Sequence, residues 1–68
     1  FDFAQIIDIY SVQKAQITKI LYSMPYVSEI QSKEFGLRIK AEKEESQRIL
    51  DTLLANKVNI DYFLPSGT

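Results

Sequence analysis

The charged residues of this chain are concentrated in its middle, and this uneven distribution limits how the chain can fold. Nine of the seventeen charged side chains lie between Lys33 and Arg48, and strongly apolar stretches, residues 1–30 and 49–64, stand on either side. This pattern indicates two apolar helical faces joined through a solvated helix. We therefore expect a single all-α domain over residues 1–64, followed by a flexible tail at residues 65–68.

The apolar residues before Pro25 recur at steps of three and four, which is the spacing of one helical face. The series is Phe3, Ile6, Ile7, Tyr10, Ile17, Ile20, Leu21 and Met24. It predicts a long first helix from Phe3 to Met24, or two shorter helices that meet near Ser11, where the series lapses. Because Pro25 disfavours a helical Met24 and suits the first turn of a following helix, we expect a turn there and then a second helix.

The chain beyond Gly36 again has a helical pattern. A third helix is expected from Leu37 to about Asn56, with an apolar stripe and with opposite charges four residues apart on its exposed side. The stripe consists of Ile49, Leu50, Leu53 and Leu54. Gly36 either lies inside a continuous helix or ends the second one, and we favour a break because glycine costs roughly 1 kcal/mol inside a helix. Residues 58–64 fit either an extended segment or one more helical turn.

The absence of histidine and cysteine removes most chemistry from consideration. Without these residues the chain cannot form disulfides, thiol nucleophiles or the usual zinc sites, and its serine hydroxyls have no imidazole to activate them. Carboxylates gather at Glu42, Glu44 and Glu45, but Lys43 lies among them, which is typical of a solvated helix face. We expect no catalytic residue, no metal site and no cofactor, so the chain is not expected to be an enzyme.

A short chain that is 46% hydrophobic must cover much apolar surface, and without disulfides or metals such chains commonly oligomerise or dock on a partner. We expect three or four helices in a small bundle that is completed by dimerisation. Our hypothesis is a non-enzymatic helical protein-protein interaction or homodimerisation module, which pairs with itself or with another helical protein. The expected core and interface residues are Phe3, Ile7, Tyr10, Ile17, Leu21, Ile49, Leu53, Leu54, Tyr62 and Phe63.

The alternative hypothesis is a DNA-binding domain, since residues 17–31 resemble a helix-turn-helix whose turn and second helix would lie between Ser23 and Lys33. The nucleic-acid contacts would then come from Lys14, Lys19, Ser28, Gln31, Ser32 and Lys33. Thr18 and Tyr22 depart from the small residue and the glycine that the motif usually has. A net charge of −1 and a pI of about 5.2 also disfavour nucleic acid. A plain helical corner is the interpretation that we favour.

The sequence gives two expectations about the setting of the chain. No apolar run reaches the roughly 18 to 20 residues that span a bilayer, and no basic and then apolar signal segment opens the chain. The absence of cysteine suits a reducing compartment. We therefore expect a soluble intracellular protein, cytoplasmic or nuclear, and we expect a segment of a larger protein because the chain begins with Phe1 rather than methionine.

Overall fold

Four antiparallel strands and two helices form the fold in the computed structural model, which describes residues 4–66. In chain order the elements are β1 (Ala4–Tyr10), α1 (Lys14–Leu21), β2 (Val27–Lys33), β3 (Gly36–Glu42), a 3₁₀ turn (Lys43–Glu45), α2 (Ser46–Ala55) and β4 (Tyr62–Pro65). The strands are arranged β2-β3-β1-β4, and all neighbours are antiparallel. This order of elements is the split βαβ arrangement, also called ferredoxin-like.

The prediction of an all-α bundle is wrong, and the four-stranded sheet is the finding that overturns it. The first helix was expected from Phe3 to Met24, but β1 occupies the first part of that range and α1 only the second. Phe3 itself lies outside the described residues. Ile7 and Ile9 are both fully buried, so β1 follows an alternating pattern that β-branched side chains favour.

The predicted second helix is also wrong, because the residues after Pro25 form the edge strand β2. The strands β2 and β3 are joined by a turn at Glu34 and Phe35, and Gly36 is the first residue of β3. The helix expected from Leu37 to Asn56 is likewise divided, since β3 takes its first six residues and α2 begins only at Ser46. The charged run from Lys33 to Arg48 therefore covers the end of β2, the hairpin turn, β3, the 3₁₀ turn and the start of α2.

The core lies between the two helices and one face of the sheet. Its buried side chains form one cluster: Ile7, Ile9, Ile17, Leu21, Met24, Leu37, Ile39, Ala41, Ile49, Leu53 and Val58. Because side chains alternate along a strand, the odd-numbered residues of β1 and β3 face this core, and the even-numbered residues lie on the opposite side of the sheet. We call that opposite side the open face.

Hydrogen bonds tie the turn before α1 to the segment that leads into β4. The hydroxyl of Ser11 donates to the carbonyl oxygen of Asn59 at 2.6 Å and accepts from the backbone N–H of Gln13 at 3.0 Å. The backbone N–H of Asn59 donates in turn to Oε1 of Gln13 at 2.6 Å.

Of the two conformations left open for residues 58–64, the extended one is found from Tyr62 onward. None of the helices within residues 4–66 has the length and apolar character needed to cross a membrane.

Candidate functional site

A row of three aromatic rings crosses one end of the open face. Tyr10 of β1 lies opposite Tyr62 of β4 in the sheet register, and the two rings meet edge to face with their centroids 5.6 Å apart. On its other side the Tyr10 ring stacks on Phe35, with centroids 4.4 Å apart and planes inclined by 21°. Both geometries are favourable for aromatic pairs. We call Phe35, Tyr10 and Tyr62 the aromatic row.

Exposed aliphatic side chains continue this apolar surface along β1 and β4. Ile6 has the even-numbered position that places it on the open face, and Leu64 is paired with Asp8, which is on the same face. Ile6 is 37% exposed, Leu64 49% and Tyr62 61%. Grouped apolar side chains of this size gain free energy when another surface covers them, by about 25 cal/mol per Å² of apolar area.

An ion pair lies beside the aromatic row. Asp8 and Arg38 are opposite each other on β1 and β3. Nε of Arg38 donates to Oδ1 of Asp8 at 2.8 Å, and Nη2 donates to Oδ2 at 3.2 Å. This hydrogen bonding and the negative charge of Asp8 raise the pKa of Arg38 above its ordinary value. The guanidinium carbon also lies 5.9 Å from the centroid of the Phe35 ring, so the pair fixes a cation against the aromatic row.

The half of the open face formed by β2 and β3 is polar. Glu29 and Lys40 occupy opposite positions, and Nε2 of Gln31 donates to Oε2 of Glu29 at 2.8 Å. Among residues 4–66, the register places three acidic residues (Asp8, Glu29 and Glu42) and three basic residues (Lys33, Arg38 and Lys40) on the face. The open face therefore combines a mainly apolar half on β1 and β4 with a charged half on β2 and β3, and the charges balance when Asp8 of β1 is included.

The residues predicted as core or interface lie in different environments. Ile7, Ile17, Leu21, Ile49 and Leu53 are buried in the core, and Phe63 is half-buried against it. Tyr10 and Tyr62 belong to the aromatic row, whereas Leu54 is exposed on α2. Phe3 lies outside the described residues. Whether any of these residues contacts a partner stays a prediction.

Sequence reasoning missed several residues of the open face, notably Phe35, Asp8, Arg38 and Leu64. They come together through pairing between strands that are far apart in sequence, as the separation of 30 residues between Asp8 and Arg38 illustrates. One local signal was available: apolar and charged residues alternate from Leu37 to Glu42, which is typical of a half-buried strand.

The structural basis of the helix-turn-helix hypothesis is wrong, because the segment expected to be its second helix is β2. Its predicted contact residues are divided between two elements. Lys14 and Lys19 belong to α1, and Ser28, Gln31, Ser32 and Lys33 belong to β2. The packing of α1 brings some of them together, since Nζ of Lys14 donates to Oγ of Ser32 at 3.1 Å and to the carbonyl oxygen of Lys33 at 2.6 Å.

Residues 4–66 contain no cluster of metal ligands, and comparison with known proteins found no relative. Within residues 4–66 no group of three or more histidine, cysteine, aspartate or glutamate side chains is placed to hold a metal ion. Comparison of the chain with protein-family models, with curated proteins and with solved structures gave no match.

Proposed function

We propose that this chain is a non-enzymatic protein-protein interaction module, and that it pairs with a second copy of itself through the open face. The observation that carries the proposal is the grouping of Ile6, Tyr10, Tyr62 and Leu64 on the side of the sheet opposite the core. The core already occupies the helix side. Covering the second side would complete the burial of the sheet, as in two sheets packed face to face.

The side chains of the open face are of the types that protein interfaces favour. Tyrosine and arginine are enriched at the centres of such interfaces and account for many of their strongest contacts. Tyr10 and Tyr62 supply rigid aromatic area, and Arg38 is held in place by Asp8. These groups lose little conformational freedom when a partner covers them.

The open face can pack against the open face of a second copy because their charges would not repel. In a twofold symmetric dimer the same patch meets itself, so its charges must not repel. The described part of the open face holds as many acidic as basic residues, and Asp8 already neutralises Arg38. Nucleic acid is a poorer fit for this face, because binding to phosphates requires an excess of positive charge.

The edge strand β4 also favours packing between faces over pairing between strand edges. Lateral extension of a sheet needs unpaired N–H groups along its edge strand, and Pro65 of β4 has none. Pairing of two copies through β4 edges is therefore disfavoured, while packing through side chains is not impeded. The two copies would therefore meet through their faces rather than form one continuous sheet.

Sedimentation velocity over micromolar to millimolar concentrations tests the proposal. We expect the unmodified chain to dimerise and the double variant Tyr62→Ser/Leu64→Ser to stay monomeric with an unchanged circular dichroism spectrum. The matched control is Val12→Ser/Tyr22→Ser, which removes one aliphatic and one tyrosine side chain, both exposed and away from the open face. The control should dimerise as the unmodified chain does. A monomeric unmodified chain, or equal weakening by both double variants, would overturn the proposal.

A further inference from the structure

A second surface feature, separate from the open face, lies between α1 and the edge strand β2. It is a groove between the helix side and the sheet side, and the buried Leu37 lies at its base. Its lining residues are Lys14, Ala15, Thr18, Lys19, Tyr22, Ser32 and Leu37. The groove exists because the facing side chains are short: Ala15 and Thr18 on the helix, and Ser32 on the strand. A larger residue at any of these three positions would fill the space between helix and strand.

The strand that borders this groove has an unoccupied edge. Within residues 4–66, β2 is the last strand of the sheet on that side, and no other strand pairs with its outer edge. An edge strand presents N–H and C=O groups that another extended chain can pair with. Unlike β4, β2 contains no proline, and beyond the register shift between Val27 and Glu29 its pairing with β3 is regular as far as Lys33. A free strand edge beside a helix is the arrangement that peptide-binding domains use for strand addition.

The charge of the groove indicates which peptide would fit. Both charged residues that line it, Lys14 and Lys19, are basic, and no acidic residue lines it. Nζ of Lys14 donates to Ser32 and to Lys33, which leaves one of its three N–H donors for a ligand. No carboxylate within residues 4–66 forms an ion pair with either lysine. The rest of the chain holds six basic and nine acidic residues, so this positive site lies on an acidic protein.

We propose that the outer edge of β2 binds an extended acidic segment of another protein, which adds to the sheet as a further strand. Alternate side chains of the segment, its acidic ones, would point into the groove over Leu37, because side chains of a strand alternate in direction. Its carboxylates would lie beside Lys14 and Lys19. Backbone pairing would provide affinity for any extended chain, and the two lysines would select acidic ones.

An NMR titration of the ¹⁵N-labelled chain tests this proposal. The probe is a short synthetic peptide of alternating valine and aspartate, and the two control peptides replace aspartate by asparagine or carry N-methyl groups on alternate residues. We expect shifts of amide signals in β2 and α1 with the acidic peptide. We expect binding at least about fivefold weaker with either control peptide, because one lacks the charges and the other lacks the donors for strand pairing.

Two charge-reversed variants of the protein complete the test. Lys19→Glu should weaken binding of the acidic peptide about fivefold or more, whereas Lys43→Glu, exposed in the 3₁₀ turn and equal in net charge, should change it by less than about twofold. Tyr62→Ser/Leu64→Ser should bind as the unmodified chain does, which separates this proposal from that for the open face. Equal binding of all three peptides, shifts confined to the open face, or tighter binding of a single-stranded oligonucleotide would overturn it.

Discussion

Gly36 and Ile9 lie so close together that no side chain fits between them. A Cβ atom on Gly36 would be 2.1 Å from the carbonyl oxygen of Ile9 and 2.9 Å from the backbone nitrogen of Ser11. Gly36 also has φ +153°, which residues with a side chain rarely adopt. The backbone N–H of Ser11 donates to the carbonyl oxygen of Phe35 at 3.1 Å. The end of β1 is thereby held against the turn that carries one ring of the aromatic row.

Replacing this glycine should be costly. We expect Gly36→Ala to lower the free energy of unfolding by about 2 to 4 kcal/mol, because the added Cβ meets backbone atoms that cannot rotate away and the required φ is strained. Urea denaturation at a fixed protein concentration measures the change. The control is Glu34→Ala, an exposed position in the same turn, where about 0.5 kcal/mol or less is expected. A loss below about 1 kcal/mol for Gly36→Ala would contradict the close approach.

The role of Gly36 was only partly predictable from the sequence. A break in the chain at this glycine was the favoured interpretation, and a new element does begin there, but it is a strand rather than a helix. The charges four residues apart, such as Lys40 and Glu44, supported a helix. However, four is a multiple of two, so this spacing places residues on one side of a strand as well as of a helix. The charge pattern could not decide between them.

The same ambiguity misled the interpretation of β1. Ile6, Ile7 and Tyr10 fit a helical stripe, whereas the burial of Ile7 and Ile9 has the period of a strand. In a run of seven residues rich in β-branched side chains the two periods overlap, and only the partner strands select one. Those partners are distant: β1 pairs with β3 and with β4. The aromatic row depends on this pairing, so no local pattern could have revealed it.

Two neighbouring leucines of α2 test where the core ends. Leu53 is fully buried, whereas Leu54 is 54% exposed. We expect Leu53→Ala to lower the free energy of unfolding by about 2 to 5 kcal/mol, because it leaves a cavity between α2 and the sheet. Leu54→Ala removes the same atoms from the surface and should change it by about 0.5 kcal/mol or less. Similar losses for the two variants would show that α2 does not turn Leu53 toward the core and Leu54 toward solvent.

The end of α2 offers a way to stabilise the protein. The backbone N–H of Lys57 donates to the carbonyl oxygen of Leu54 at 3.0 Å, and that of Val58 donates to Leu53 at 3.2 Å, which is the bonding of a Schellman cap. Lys57 has φ +61°, a left-handed conformation in which glycine is favoured over residues with a Cβ.

We therefore expect Lys57→Gly to raise the free energy of unfolding by about 0.5 to 1 kcal/mol, since relief of the left-handed strain exceeds the greater entropy of glycine in the unfolded chain. Thermal and urea denaturation at matched protein concentration measure the gain. Asn56→Gly is the control, because Asn56 has φ −89° and its side chain donates to the carbonyl oxygen of Thr52 at 2.8 Å. That variant should lose stability. If both glycines destabilise the protein equally, the left-handed cap at Lys57 does not form in solution.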